Sequence, residues 1–144
     1  MPSQLYGQFI SQAFNKEIDW DSDVIKVALL TNAYTPNQDA HNYFDDVVAN
    51  EVTGTGYTAG GNTLANKTNT YNSATNVIVL DADDTTWASS TITARYAVIY
   101  DASPATNATR PLIGYVDFGS DQSSSNGNFT ITWDSTGIVR VTVA

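Results

Sequence analysis

His41 is the only histidine of the chain, and Asp39, Asp45 and Asp46 stand close to it in the sequence. A histidine base works on an oriented nucleophile with oxyanion donors nearby, and the chain contains no G-x-S-x-G elbow that would hold such a serine. His41 therefore reads as a solvated residue at the start of a helix. Two carboxylate runs carry the oxygen chemistry of calcium binding: Asp19, Asp21 and Asp23, then Asp81, Asp83 and Asp84. An EF-hand loop requires Gly at its sixth position and Glu at its twelfth. Counted from Asp19 these positions are Val24 and Leu30, and from Asp81 they are Thr86 and Ile92, so both runs fail. They read as turn and strand-entry acids, because Asp accepts hydrogen bonds from its own backbone in turns. A calcium site of another kind stays open.

Glu17 and Glu51 are the only glutamates, and no spacing links them, or any Asp pair, into the fixed acid and base of a glycosidase. The cluster Gly54, Gly56, Gly60 and Gly61 lacks the G-x-G-x-x-G order, a preceding apolar strand and a P-loop lysine, and so reads as turns. With no cysteine, the chain has no thiolate nucleophile, disulfide or cysteine zinc site. The N-x-[ST] sequons at Asn66, Asn107 and Asn128 are what a chain rich in Asn and Thr yields by chance. The expectation is a protein without catalytic residues, cofactor or metal.

Aromatic side chains are the remaining means of recognition. Trp133 fits the inward face of a strand beside Phe129 and Ile131. Tyr57 and Tyr71 lie in a polar segment with no periodic support, where they either meet a protein or sugar partner or pin the segment to its own domain.

The elements that position these groups follow from the periodicity. Residues 3–16 predict an amphipathic helix, with Ser3 as N-cap and two merging stripes, Leu5, Phe9 and Ala13 beside Tyr6, Ile10 and Phe14. The partner-contact candidates are Leu5, Tyr6, Phe9 and Ile10 on that helix, with Tyr57 and Tyr71. Val24–Leu30 predicts a strand, and His41–Asn50 a second short helix that Asp39 could cap. Thr53–Ser73 predicts either a long surface loop or polar edge strands. Strands follow at 76–80, 85–88, 91–101, 112–118, 128–134 and 138–143, with 119–127 as a turn and a final hairpin across 135–137. Within these strands, Ile92, Ala94, Tyr96, Val98 and Tyr100 share one face by strict alternation, as do Leu112, Gly114, Val116 and Phe118. The expected architecture is mainly β: a single antiparallel β-sandwich domain over residues 1–144, with an N-terminal helical arm at about 1–18 and one short additional helix.

Fifteen acidic against six basic residues leave a formal net charge of −9. The cations are scattered singly, so nucleic acid is not an expected partner. No stretch approaches the roughly 18 apolar residues of a membrane span, and the N-terminus MPSQLYGQFI lacks the pattern of a signal peptide. The expectation is a soluble protein released into a cytoplasm.

Four stretches in order resemble a family of small structural proteins of tailed bacteriophage heads. They are IDWDSDVIKVALLT, VLDADDTTW, RYAVIYDAS through RPLIGYVDFG, and NFTITWDSTGIVRVTV. The resemblance spans most of the chain apart from Thr53–Ser73, and its specificity lies in order and spacing, not in a catalytic signature. It implies a virion component made in the host cytoplasm: a capsid decoration, or cement, protein that binds the outer face of the major capsid protein shell as a trimer or dimer. A tail, neck or fibre-attachment component and a carbohydrate-binding sandwich module are the rival expectations.

Overall fold

The computed structural model describes residues 3–144. Two antiparallel sheets make up the fold, which is mainly β. The larger sheet has the order β1-β7-β6-β2-β3, built from Ser3–Leu5 (β1), Ile25–Leu30 (β2), Asn62–Thr63 (β3), Thr85–Asp101 (β6) and Leu112–Ile131 (β7). The smaller has the order β4-β5-β8, built from Thr68–Asn72 (β4), Val77–Asp81 (β5) and Val139–Thr142 (β8).

β2 explains the layering. Ile25, Val27 and Leu29 enter the main core between the sheets, while Ala28 and Leu30 enter a second core on the opposite face. A strand buried on both faces reads as a continuous apolar run, as this one does. The second core is closed by the loop region after β2, where Tyr34, Phe44 and Val47 pack on Val98, Tyr100 and Leu112. Phe44 and Tyr100 stack there with ring centroids 4.0 Å apart.

The N-terminal helix is shorter than its periodicity predicts. Residues 3–5 are strand β1, paired with β7 in the register Ser3↔Val116, and only Phe9–Phe14 form a helix (α1). Ser3 is thus a strand residue and not an N-cap. Paired backbone groups on β7 outcompete a helical turn that Gly7 would weaken, and Gly7 N instead donates to Gln38 O at 2.9 Å. The second helix is replaced by two 3₁₀ turns, Phe44–Asp46 and Val48–Asn50. Their entrance is capped by Asp46, whose carboxylate accepts from the N–H groups of Asn42 and Tyr43, and not by Asp39.

Strict alternation fails along β6 and β7, because β-bulges shift the register after Trp87, between Ala94 and Tyr96, and between Ile99 and Tyr100. Each extra residue turns the following side chains to the other face. Ile92 and Ala94 therefore share the main core with Ala97 and Ile99, while Val98 and Tyr100 lie in the second core with Tyr96 packed against it. Leu112 likewise faces the second core, and Ile113 and Val116 the first. The expected turn at 119–127 is part of β7. Its serines still form ladder pairs, with hydroxyl contacts Ser123–Thr93 and Ser124–Ser90 both at 2.7 Å.

The final hairpin does not form. After β7 ends at Ile131, the chain turns at Gly137 and crosses to the smaller sheet, where β8 pairs with β5 through Leu80↔Val139. Gly137 has φ +106°, and a Cβ there would lie 2.3 Å from Val79 Cγ1, so only glycine permits the crossing. Trp133 lies beyond the strand, half-buried against the core, with its indole N–H donating to Asp83 O at 3.1 Å.

Candidate functional site: surfaces and buried polar groups

The first acidic run is used by its own backbone, and the second by groups remote in sequence. Asp19 Oδ1 accepts from Asp21 N and Ser22 N, and Asp23 Oδ2 accepts from Asp19 N, closing a turn ahead of β2. Those backbone donors hold the Asp19 carboxyl below its ordinary range. Asp83 accepts from the Asn66 amide and Asp84 from Trp133 N. Among the described residues no group of three or more His, Cys, Asp or Glu is arranged to hold a metal ion. Glu17 and Glu51 are each engaged by a tyrosine hydroxyl, Tyr43 at 2.9 Å and Tyr57 at 2.6 Å.

His41 is half-buried, not fully solvated. Its Nδ1 lies 2.9 Å from the Tyr34 hydroxyl, which lies 2.8 Å from the Tyr6 hydroxyl. Burial raises both phenols, Tyr34 to about 12, so they remain neutral hydrogen-bonding groups at any ordinary pH. This chain of three groups fastens β1 to the loop after β2. It contains no nucleophile.

The six partner-contact candidates separate cleanly. Tyr6 and Phe9 are buried in the chain's own cores, and Leu5 packs half-buried against the main one. Tyr57 pins its segment down: its hydroxyl donates to Glu51, accepts from Leu29 N at 3.1 Å, and its ring stacks on Trp87. Ile10 and Tyr71 are exposed, at 41% and 56%.

Ile10 gains a neighbour that the sequence reading placed on the stripe but left out of the contact set. Phe14, four residues on, is 86% exposed. Residues four apart share a helix face, while Phe9 and Gln12 of the same helix are buried. Gln12 fixes that buried face through its amide, which donates to Asn42 O at 3.4 Å. α1 thus holds an aromatic and a branched aliphatic side chain out into solvent on a fixed mount. The helical spacing of Ile10 and Phe14 was the available signal; what hid it was the expectation of a longer helix with both stripes merged.

Asp101 is the polar residue that sequence reasoning missed. It ends β6 opposite Ile25 and is fully buried. Its Oδ1 accepts from Ser103 N at 2.9 Å, whereas Oδ2 has no hydrogen-bond partner. Burial, and then the neighbouring Asp23 carboxyl, raise it to about 7 from an ordinary 3.8. An aspartate that follows an apolar strand and precedes a turn looks like any turn acid, so no sequence signal marks it.

A groove of about 400 Å³ runs between β1 and the crossing to β8, with Leu5, Tyr115, Trp133 and Arg140 among its walls. In comparisons with protein-family models, curated proteins and solved structures, the chain matches none.

Proposed function

We propose that this protein is a non-enzymatic structural component of a virion, a decoration protein that binds the outer face of the major capsid shell and stabilises it. The observation that carries the reading is the exposed pair Ile10 and Phe14, presented by a helix whose other face is anchored in the domain. Anchors of this kind, an aromatic and an aliphatic residue at the centre of a polar surface, supply most of the energy of a protein interface. The resemblance of the four sequence stretches to phage head proteins names the partner class. The net charge of −9 suits an exterior position better than a lumen filled with DNA, which repels like charge.

The test is co-sedimentation of the purified protein with DNA-free expanded capsid shells and, separately, with isolated tails. Saturable binding to shells, in fixed ratio to the shell protein, is the expected result. Binding to tails alone would make the protein a tail or neck component, and binding to neither would remove the virion reading.

A further inference from the structure

Asp101 is the one fully buried acid among the described residues, and half of its carboxyl is unserved. Oδ1 accepts from Ser103 N at 2.9 Å, but Oδ2 has neither a hydrogen-bond donor nor solvent beside it. Buried charges in folded proteins are paired with an opposite charge or coordinate a metal. The chain supplies no opposite charge here. Lys67 places its ammonium on the backbone O of Asp23, and Lys16 stands on the wall of an adjoining cavity, yet neither pairs with a carboxyl. Arg95–Asp117 is the one ion pair among the described residues.

What the fold gathers around Oδ2 is oxygen. The Asp23 carboxyl is the neighbour that adds to the effect of burial on Asp101. Its Oδ2 accepts from Asp19 N at 2.9 Å, which leaves Oδ1 without a donor. Ser103 Oγ accepts from Val24 N at 2.7 Å and keeps a second lone pair. Asp23 and Ser103 both line a cavity of about 580 Å³, walled also by Glu17 and Thr109, which gives water and a cation a way in from solvent. The loop Asp19–Asp23 fails the EF-hand pattern, but here only Asp23 takes part, and its partner comes from the far end of β6.

We infer that Asp101 Oδ2 and Asp23 Oδ1 form a calcium site, with Ser103 Oγ and cavity water completing the oxygen shell. Two carboxylates match the charge of a divalent ion. Calcium is favoured over magnesium because the carboxyls are already fixed by Ser103 N and Asp19 N, and calcium accepts irregular oxygen geometry where magnesium demands a near-ideal octahedron. With only two acids in the set, affinity falls at the weak end of calcium sites, a Kd of about 0.1–1 mM. A bound ion would tie the loop after β6 to the entrance of β2.

The inference does not draw on capsid binding, and its test uses no shells, so either can fail without the other. Melts are run at pH 8, above the value of about 7 at which Asp101 gives up its proton. Calcium at about 10 mM should raise the melting temperature by roughly 5 °C over the protein in EDTA. Asp23→Asn should abolish the shift, whereas Asp45→Asn, which removes the same charge from an exposed turn, should keep it. Should Asp23→Asn misfold, calorimetric titration of the wild type with calcium replaces it and should give one saturable site per chain. No shift, an equal shift with magnesium, a shift that survives Asp23→Asn, or a titration without a single saturable site would overturn the assignment.

Discussion

The carboxyl of Asp101, buried at the end of β6, lies near that of Asp23 at the entrance of β2, and burial together with this second carboxyl raises it. A buried carboxyl beside another carboxyl favours its protonated form. Around them Val24 N donates to Ser103 Oγ at 2.7 Å and Ala102 N to Val24 O at 2.8 Å, so this pair sits where the loop after β6 is tied to β2. Lys67 reaches the same place, its ammonium donating to Asp23 O.

Stability should accordingly fall as pH rises. Asp101 takes up its proton at about 7 in the folded protein and near 3.8 when unfolded, so the folded state binds more protons between those values. The contribution is complete below about pH 4 and is lost as pH passes through 7. Asp101→Asn keeps a neutral side chain of the same shape and removes the titration. The melting temperature of the wild type should drop by roughly 5 °C between pH 5 and pH 8, and that of the variant by clearly less. Equal slopes for the two proteins would refute a raised Asp101 carboxyl.

Tyr57→Phe should destabilise the fold by about 1–3 kcal/mol, because it strands Leu29 N and Glu51 without their common partner. The Trp87 contact survives in the phenylalanine. Urea unfolding would measure the loss, and a variant as stable as the wild type would show that water replaces the hydroxyl.

Gly61 allows the polar segment to lie directly on β2. Its φ is +76°, and an added Cβ would sit 1.8 Å from Val27 O. Gly61→Ala should cost more than about 3 kcal/mol, since the backbone itself must move. The Gly119→Ala comparison is informative: Gly119 also has positive φ but open space around its Cβ position, so only conformational strain, about 1 kcal/mol, applies there. Thermal melts of the two variants should rank accordingly.

Phe14→Ser should leave the melting temperature within about 2 °C of wild type, because an exposed side chain contributes little to folding. It should reduce binding to capsid shells at least roughly tenfold, as loss of an interface anchor does. Undiminished shell binding would move the contact to another face of the protein.

Much of the fold is legible in the residues. The run Ile25–Leu30, the apolar alternation around Phe129 and Ile131, and the turn chemistry of Asn and Gly point to an antiparallel sandwich, and two antiparallel sheets are found. What escapes is the phase. A bulge adds one backbone residue without any compositional mark, so Ile92 and Ala94 fall on the other side from Val98 and Tyr100 although their spacing is even throughout. Length escapes as well: Leu5, Phe9 and Ala13 have helical spacing, yet Leu5 belongs to a strand because β7, over a hundred residues away, offers it an edge. For the surfaces the same holds. Exposure of Phe14 and burial of Tyr6 are decided by what packs against one short helix and one short strand, which spacing within the segment cannot express.

The pairing of β1 with β7 fixes when the molecule can act as well as how it is shaped. During synthesis Ser3–Leu5 wait for their partners at 114–116, and Leu80 waits for Val139, so neither sheet closes until those distant residues have been made. Contacts of such long sequence separation form late and slowly. The helix bearing Ile10 and Phe14 follows directly on β1 and takes its fixed place only when that strand docks. A nascent chain that has not yet reached residues 114–116 therefore displays no organised α1 surface.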